Sequence, residues 1–143
     1  MQLTIRDLVN KQQMLETYHL VNHMYKNLSL QDFSYNLDEM IKLNNYKIVA
    51  GYYQHKLVAL SGYWISRMLY CGRYLQLSNF VCDSQYRNNG FGAQIIKYLE
   101  TKAIELQCNK IVLDSYIENK KSHAFYYKHG FYIRGLHFMK DLI

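Results

Sequence analysis

The segment RNNGFG, Arg87–Gly92, brings one guanidinium, two short amides and two glycines together. It lies between an apolar run, RYLQLSNFVCD, and a stretch with the spacing of one helix face. In that stretch Ile95, Leu99, Ala103 and Leu106 are apolar, whereas Gln94, Lys97, Thr101 and Glu105 are polar. Asn89-Gly90 on its own signals a hairpin turn, but that turn needs a strand on both sides, and the downstream flank is helical. The junction therefore reads as strand, glycine-rich loop and helix start. Such a junction aims several backbone N–H groups at one spot, at the positive end of the helix dipole. Glycine lets an anion approach the backbone without a Cβ in the way, and Arg87 adds a charged donor. The chemistry is that of a pyrophosphate site. The spacing fits neither the nucleoside-triphosphate loop G-x-x-x-x-G-K-[ST] nor the dinucleotide pattern G-x-G-x-x-G.

The remaining composition narrows the function classes. A chain of 143 residues that is half apolar and one-fifth charged is expected to form one globular domain, residues 1–143. The formal net charge is +6, which suits an anionic partner. No basic run exceeds the pair Lys120-Lys121, so no nucleic-acid partner is expected. The three cysteines, Cys71, Cys82 and Cys108, are odd in number, widely spaced and without C-x-x-C. That argues against a disulfide framework or a zinc site and for a reducing compartment. The N-terminal stretch MQLTIRDLVNKQQ lacks a signal-peptide core, and LVALSGYWI is far shorter than the roughly 20 residues of a membrane span. The expectation is a cytoplasmic protein with no membrane partner.

Apolar periodicity supplies the elements that position the loop. QLTIRDL alternates as a short strand, and Val9–His23 and Gln31–Leu43 carry helical spacing with a loop between them. YKIVAGYYQ and KLVALSGYWISRML read as strands joined by a turn at Gln54-His55-Lys56, and RYLQLSNFVCD as the third strand of that meander. After the Gly-loop helix, KIVLDSY reads as a strand. NKKSHAFYYKH reads as a short helix, with Asn119 to cap its start and Gly130 to take the left-handed position past its end. FYI and LHFMKDL read as two final strands around an Arg134-Gly135 turn. The order β-α-α-β-β-β-α-β-α-β-β predicts a mixed α/β (α+β) fold, with a mostly antiparallel sheet flanked by helices.

At this point the chain resembles a known family. FVCDSQY followed by RNNGFGA and a helix resembles the acyl-CoA signature of the GNAT superfamily of acyl-CoA-dependent N-acyltransferases, Arg/Gln-x-x-Gly-x-Gly/Ala. NKKSHAFYYKHGF resembles that family's second motif, an Asn followed by a Phe-Tyr pair and Gly-Phe. The motif-bearing stretch covers about residues 74–132. The resemblance implies a single N-acetyltransferase domain and acetyl-CoA as cofactor, with CoA as product. Backbone groups of Phe80, Val81 and Cys82 would pair with the pantetheine arm as an added strand does. The backbone from Arg87 through Asn88, Asn89, Gly90, Phe91, Gly92 and Ala93 would hold the pyrophosphate. Asn119 would reach the cofactor, a role that competes with helix capping. Tyr126 would stand near the thioester sulfur and protonate the leaving thiolate. Spacing alone does not choose between Tyr126 and Tyr127; the motif register does.

Acetyl transfer to an amine needs a neutral amine, a polarised thioester carbonyl and a proton for the leaving thiolate. The Cys82 N–H and the Tyr126 hydroxyl are candidates for the last two needs. For the first, many relatives carry a carboxylate on the strand equivalent to Tyr74–Asp83. This chain offers Gln76, Ser78 and Asn79 instead. Deprotonation is then left to water, to His137, Glu118 or Asp114, or to an amine that arrives neutral. A catalytically weak CoA-binding module serving a partner protein is the alternative. The acceptor pocket is expected from about His23 to Phe33. Tyr25, Asp32 and Phe33 there, with Gln76 and Ser78 on the strand, are the candidates to receive an amine of a small molecule or a protein. Pairing into a homodimer through the last strands also fits the resemblance.

Overall fold

The computed structural model describes residues 1–143, which divide into two compact units, Met1–Val112 and Leu113–Ile143. The first unit holds β1 (Thr4–Leu8), α1 (Lys11–Leu15), α2 (Tyr18–Met24) and α3 (Leu30–Asn44). It continues with β2 (Lys47–Tyr53), β3 (Lys56–Met68), β4 (Gly72–Cys82), α4 (Phe91–Glu105) and β5 (Lys110–Val112). The second unit holds α5 (Lys120–Lys128). The five strands form one sheet in the order β1-β2-β3-β4-β5, antiparallel except for the parallel pair β4–β5. This is the mixed, mostly antiparallel α/β fold expected from the sequence.

Both faces of the sheet are covered. Ile48, Ala50 and Leu60 cluster with Met14, Leu20, Val21, Phe33 and Leu37, so α1, α2 and α3 cover one face. On the other face, a Cβ placed on Gly51 would meet Ile95 Cδ1 at 3.1 Å, and the buried Ile95, Ile96 and Leu99 of α4 cover that side. Covering from both sides explains the continuous apolar run Ile48-Val49-Ala50, which has no polar alternation. An ionic cluster ties α4 to the sheet. Asp7 on β1 accepts from Tyr98 Oη at 2.7 Å and Tyr63 Oη at 3.1 Å, and Lys102 Nζ lies 2.9 Å away. Burial pushes the Asp7 carboxyl up, but these three donors outweigh it and hold it below the usual value. Burial and the Asp7 charge push the Tyr98 phenol up to about 12.

The helix expected over Val9–His23 is two helices. The Thr17 hydroxyl bonds back to Met14 O at 2.6 Å, and α2 starts afresh after Thr17. The β2–β3 turn is tight because Gln54 and His55 both take positive φ, 50° and 67°, as a two-residue primed turn requires. The strand expected over KIVLDSY is confined to Lys110–Val112. In the second unit, Asn119 caps α5 by accepting from Ser122 N at 3.3 Å, and Gly130 has φ 86°, both as expected. The two final strands, Phe131–Ile133 and Leu136–Leu142, do not form: residues 131–143 take neither strand nor helix. An alternating pattern becomes a strand only when a ladder satisfies its backbone, and here Tyr132, Ile133, Leu136 and Phe138 stay exposed.

Candidate acyl-donor and acceptor site

The loop from β4 to α4 is built residue by residue. Asp83 closes β4: its N–H donates to Val58 O at 2.8 Å, and its Oδ1 accepts from Gln85 N at 2.9 Å. Lys56 Nζ lies 3.6 Å from the same carboxylate and 4.8 Å from the centre of the Tyr86 ring. A 3₁₀ turn over Ser84–Tyr86 follows, then Arg87 in extended conformation, then Asn88 with φ 65°. Asn89 Nδ2 donates back to Tyr86 O at 3.0 Å. Gly90 stands at the N-cap of α4 with φ 77°, and no side chain caps the helix. A Cβ there would meet nothing within 4 Å, so the approach to the helix start is open. Phe91 fixes that start from beneath: it is buried, with its ring 5.3 Å from Tyr53 and 6.5 Å from Tyr86. The side chain anchors, and the first-turn N–H groups of α4 face outward at the positive end of the helix.

Beside the loop, β4 changes course. Leu60 pairs with Val81 but Gly62 pairs with Ser78, so β4 carries one extra residue, a bulge at Asn79-Phe80. Asn79 takes φ 61°, a conformation Asn tolerates better than most residues. β5 pairs with β4 only over Tyr74–Gln76, whereas β4 runs on to Cys82. Past Gln76 β5 supplies no ladder partner to β4. Burial pushes the Cys82 thiol up despite the nearby Arg87 charge, so Cys82 is no thiolate nucleophile.

The bulge is held by a hydrogen-bond network that sequence reasoning missed. Tyr46 Oη donates to Asn79 Oδ1 at 2.9 Å, Ser78 Oγ donates to the same oxygen at 3.1 Å, and Asn79 Nδ2 donates to Tyr25 Oη at 2.8 Å. Burial, with a smaller contribution from Tyr25, pushes the Tyr46 phenol far above its usual value, so it stays a neutral donor. The available signal was the polar pair Ser78-Asn79 interrupting an apolar strand. Tyr25 also lines an open depression of about 660 Å³ together with Met24, Lys26, Asn27, Leu28, Asp32, Tyr35 and Asn36.

The expected site residues therefore fall into groups. Phe80, Val81, Cys82 and Arg87–Ala93 all lie along the end of β4, the loop and the start of α4. Tyr25 and Asp32 share the depression, and Ser78 meets Tyr25 through Asn79. Gln76 is half-buried and donates to Leu77 O at 3.3 Å. Phe33 is not a lining residue: it is buried in the core with its ring 5.8 Å from Tyr18, because α3 turns that face to the sheet. In the second unit Tyr126 is half-buried between Phe125 and Phe131, with ring centres at 5.5 and 5.6 Å, and burial raises its phenol pKa. Tyr127 is exposed. His137 Nδ1 lies 3.5 Å from Asp114 Oδ2 on the surface of that unit.

Comparison with known proteins bears on this arrangement. The family model "Acetyltransferase (GNAT) family" matches residues 14–131. The chain is 23% identical over 139 residues to the uncharacterized N-acetyltransferase YhdJ of Bacillus subtilis (strain 168), covering 96% of this chain and 98% of that protein. Its fold matches an aminoglycoside acetyltransferase, meta-AAC0020, from an uncultured soil metagenomic sample, solved in complex with sisomicin. The TM-score is 0.82 at 16% identity, over 99% of this chain and 97% of that one. It also matches the aminoglycoside N-acetyltransferase AAC(6')-Iy in complex with CoA, with a TM-score of 0.80 at 13% identity, over 100% and 98% of the two chains. No helix is long and apolar enough to cross a membrane. The chain belongs to the acetyltransferase (GNAT) family, an acyltransferase family that uses acetyl-CoA.

Proposed function

We propose that this protein is an N-acetyltransferase that moves the acetyl group of acetyl-CoA onto an amine of a small molecule or a protein. The observation that carries the reading is the uncapped start of α4 behind Gly90, set beside an edge of β4 that β5 leaves unladdered past Gln76. Anionic phosphates suit the first, and an extended amide-bearing arm suits the second. Backbone groups of Phe80, Val81 and Cys82 are assigned to that arm, and those of Arg87–Ala93 to the pyrophosphate. Asn119 is assigned to the same ligand, in addition to its capping bond.

When bound, the thioester supplies an activated acetyl group whose C–S bond breaks as the new C–N bond forms. The chain contributes binding, polarisation and protons. The Cys82 N–H is the donor assigned to the carbonyl oxygen, where charge develops. Tyr126 is assigned as the general acid for the thiolate; burial raises its phenol pKa. Gln76, Ser78 and Asn79 on β4 are not bases, so the amine loses its proton to water in the open depression or arrives neutral. That same lack of a carboxylate supports the second reading, a CoA-binding module with little turnover.

The test is thermal unfolding of the wild type and Gly90→Asp with and without acetyl-CoA. At about 100 times its Kd a ligand specific to the folded state adds about 2.7 kcal/mol, a shift of several degrees. The wild type shifts and Gly90→Asp does not. If neither shifts, the loop is only a turn before a helix and the acetyltransferase reading fails. Thiol release with a panel of amines then separates the enzyme from the silent module.

A further inference from the structure

The depression between α2 and α3 carries two formal charges, Lys26 and Asp32, of opposite sign. Both are exposed, and neither enters an ion pair within the protein. Around them stand the rings of Tyr25 and Tyr35 and the side-chain amides of Asn27 and Asn36. Glu39, further along α3, lies 3.5 Å from the Tyr35 hydroxyl but outside the lining. The lining is thus electrically balanced, with one site for a cation and one for an anion.

We propose that the acceptor is an amine that also carries an anionic group, a carboxylate or a phosphate. The proposal rests on the acetyltransferase reading of the same site. Asp32 and the two tyrosine faces receive the ammonium as it enters. Lys26 pairs with the anionic end, and the amides of Asn27 and Asn36 supply further donors to it. A diamine or polyamine would set its second ammonium against Lys26, on a chain whose net charge is already +6. The depression also meets the acyl-transfer strand through one residue, since Tyr25 accepts from Asn79 at the β4 bulge. An acceptor lodged against Tyr25 is therefore beside the strand whose far end is assigned to the thioester.

The experiment is thiol release by the full chain with acetyl-CoA and four short acceptors: β-alanine, ethanolamine phosphate, propylamine and 1,3-diaminopropane. One or both anion-bearing amines have a kcat/KM about tenfold or more above the other two, and the better of them names the anion. Lys26→Ala lowers that preference about tenfold, and Lys26→Glu turns it toward the diamine. Both variants change an exposed side chain, and circular dichroism checks that they fold. A diamine used as well as β-alanine and ethanolamine phosphate overturns the proposal, as does a preference that survives Lys26→Ala. No release with any of the four amines overturns it too. Acetyl-CoA thermal shifts in parallel separate the failures. With a shift and release from propylamine or the diamine, only the acceptor class is wrong; with a shift and no release from any amine, the CoA-binding module with little turnover is left; with no shift, the acetyltransferase reading falls with it.

Discussion

Tyr46 and Asn79 meet across the sheet: the Tyr46 hydroxyl donates to Asn79 Oδ1 at 2.9 Å, fixing the bulge of β4 to the start of β2. The contact exists because Tyr46 lies flat over Gly62 of β3, where a Cβ would fall onto the tyrosine ring and hydroxyl. Gly62→Ala should therefore destabilise the fold by about 1–3 kcal/mol through overpacking. Urea unfolding reads this directly. An unchanged midpoint would show that the ring does not need the space.

Asp7 links the acid stability of the protein to the α4 cluster. Its folded pKa is depressed, so its contribution is present above the unfolded value near 3.9 and is lost as pH falls through the folded value. Asp7→Asn should cost about 1 kcal/mol at pH 7, a modest figure because the carboxylate is partly solvated. The variant's stability should also fall less steeply than the wild type's below pH 4. Parallel acid limbs for the two proteins would remove Asp7 from the account.

Arg87 is exposed beside the open helix start and has the one formal positive charge of the RNNGFG loop. Arg87→Ala should weaken acetyl-CoA about tenfold while leaving the unfolding midpoint of the free protein within about 1 °C. Calorimetric titration at two salt concentrations checks it. Equal affinity for the two proteins would leave the phosphate contact to the backbone alone.

Tyr126 and Tyr127 are neighbours with different surroundings, one half-buried among aromatic rings and one exposed. Tyr126→Phe should lower kcat about 10²-fold with little change in KM, whereas Tyr127→Phe should change neither by more than about twofold. Because burial raises the Tyr126 pKa, loss of rate through its ionisation falls above about pH 10. A Tyr126→Phe variant with full kcat would assign the proton to water.

Much of this was legible in the sequence because it depends on near neighbours. Gly90 before an amphipathic segment determines a helix start, Gly130 a left-handed residue past a helix end, Asn119 a cap, and the alternating runs a meander. Each follows from a few consecutive residues and their own backbone preferences. Leu106 shows the limit of periodicity: it keeps the apolar spacing of α4 but lies past its end, at the C-cap, 40% exposed.

What tertiary structure decided depends on partners far along the chain. The bulge at Asn79 is a mismatch between β3 and β4: the polar pair Ser78-Asn79 marks the place within β4, but only the pairing with β3 shows the extra residue. The short β5 ladder, the burial of Phe33 and the joining of Tyr25 to Asn79 likewise follow from which surfaces meet. So does the failure of residues 131–143 to form strands, since alternation offers a ladder that only a neighbouring backbone can complete. The sequence by itself determined a glycine-rich loop at a helix start. Long-range pairing decided where the β5 ladder stops along β4 and that the charged depression meets the β4 bulge through Tyr25, because hydrogen-bond ladders and side-chain burial are properties of contacts rather than of residues.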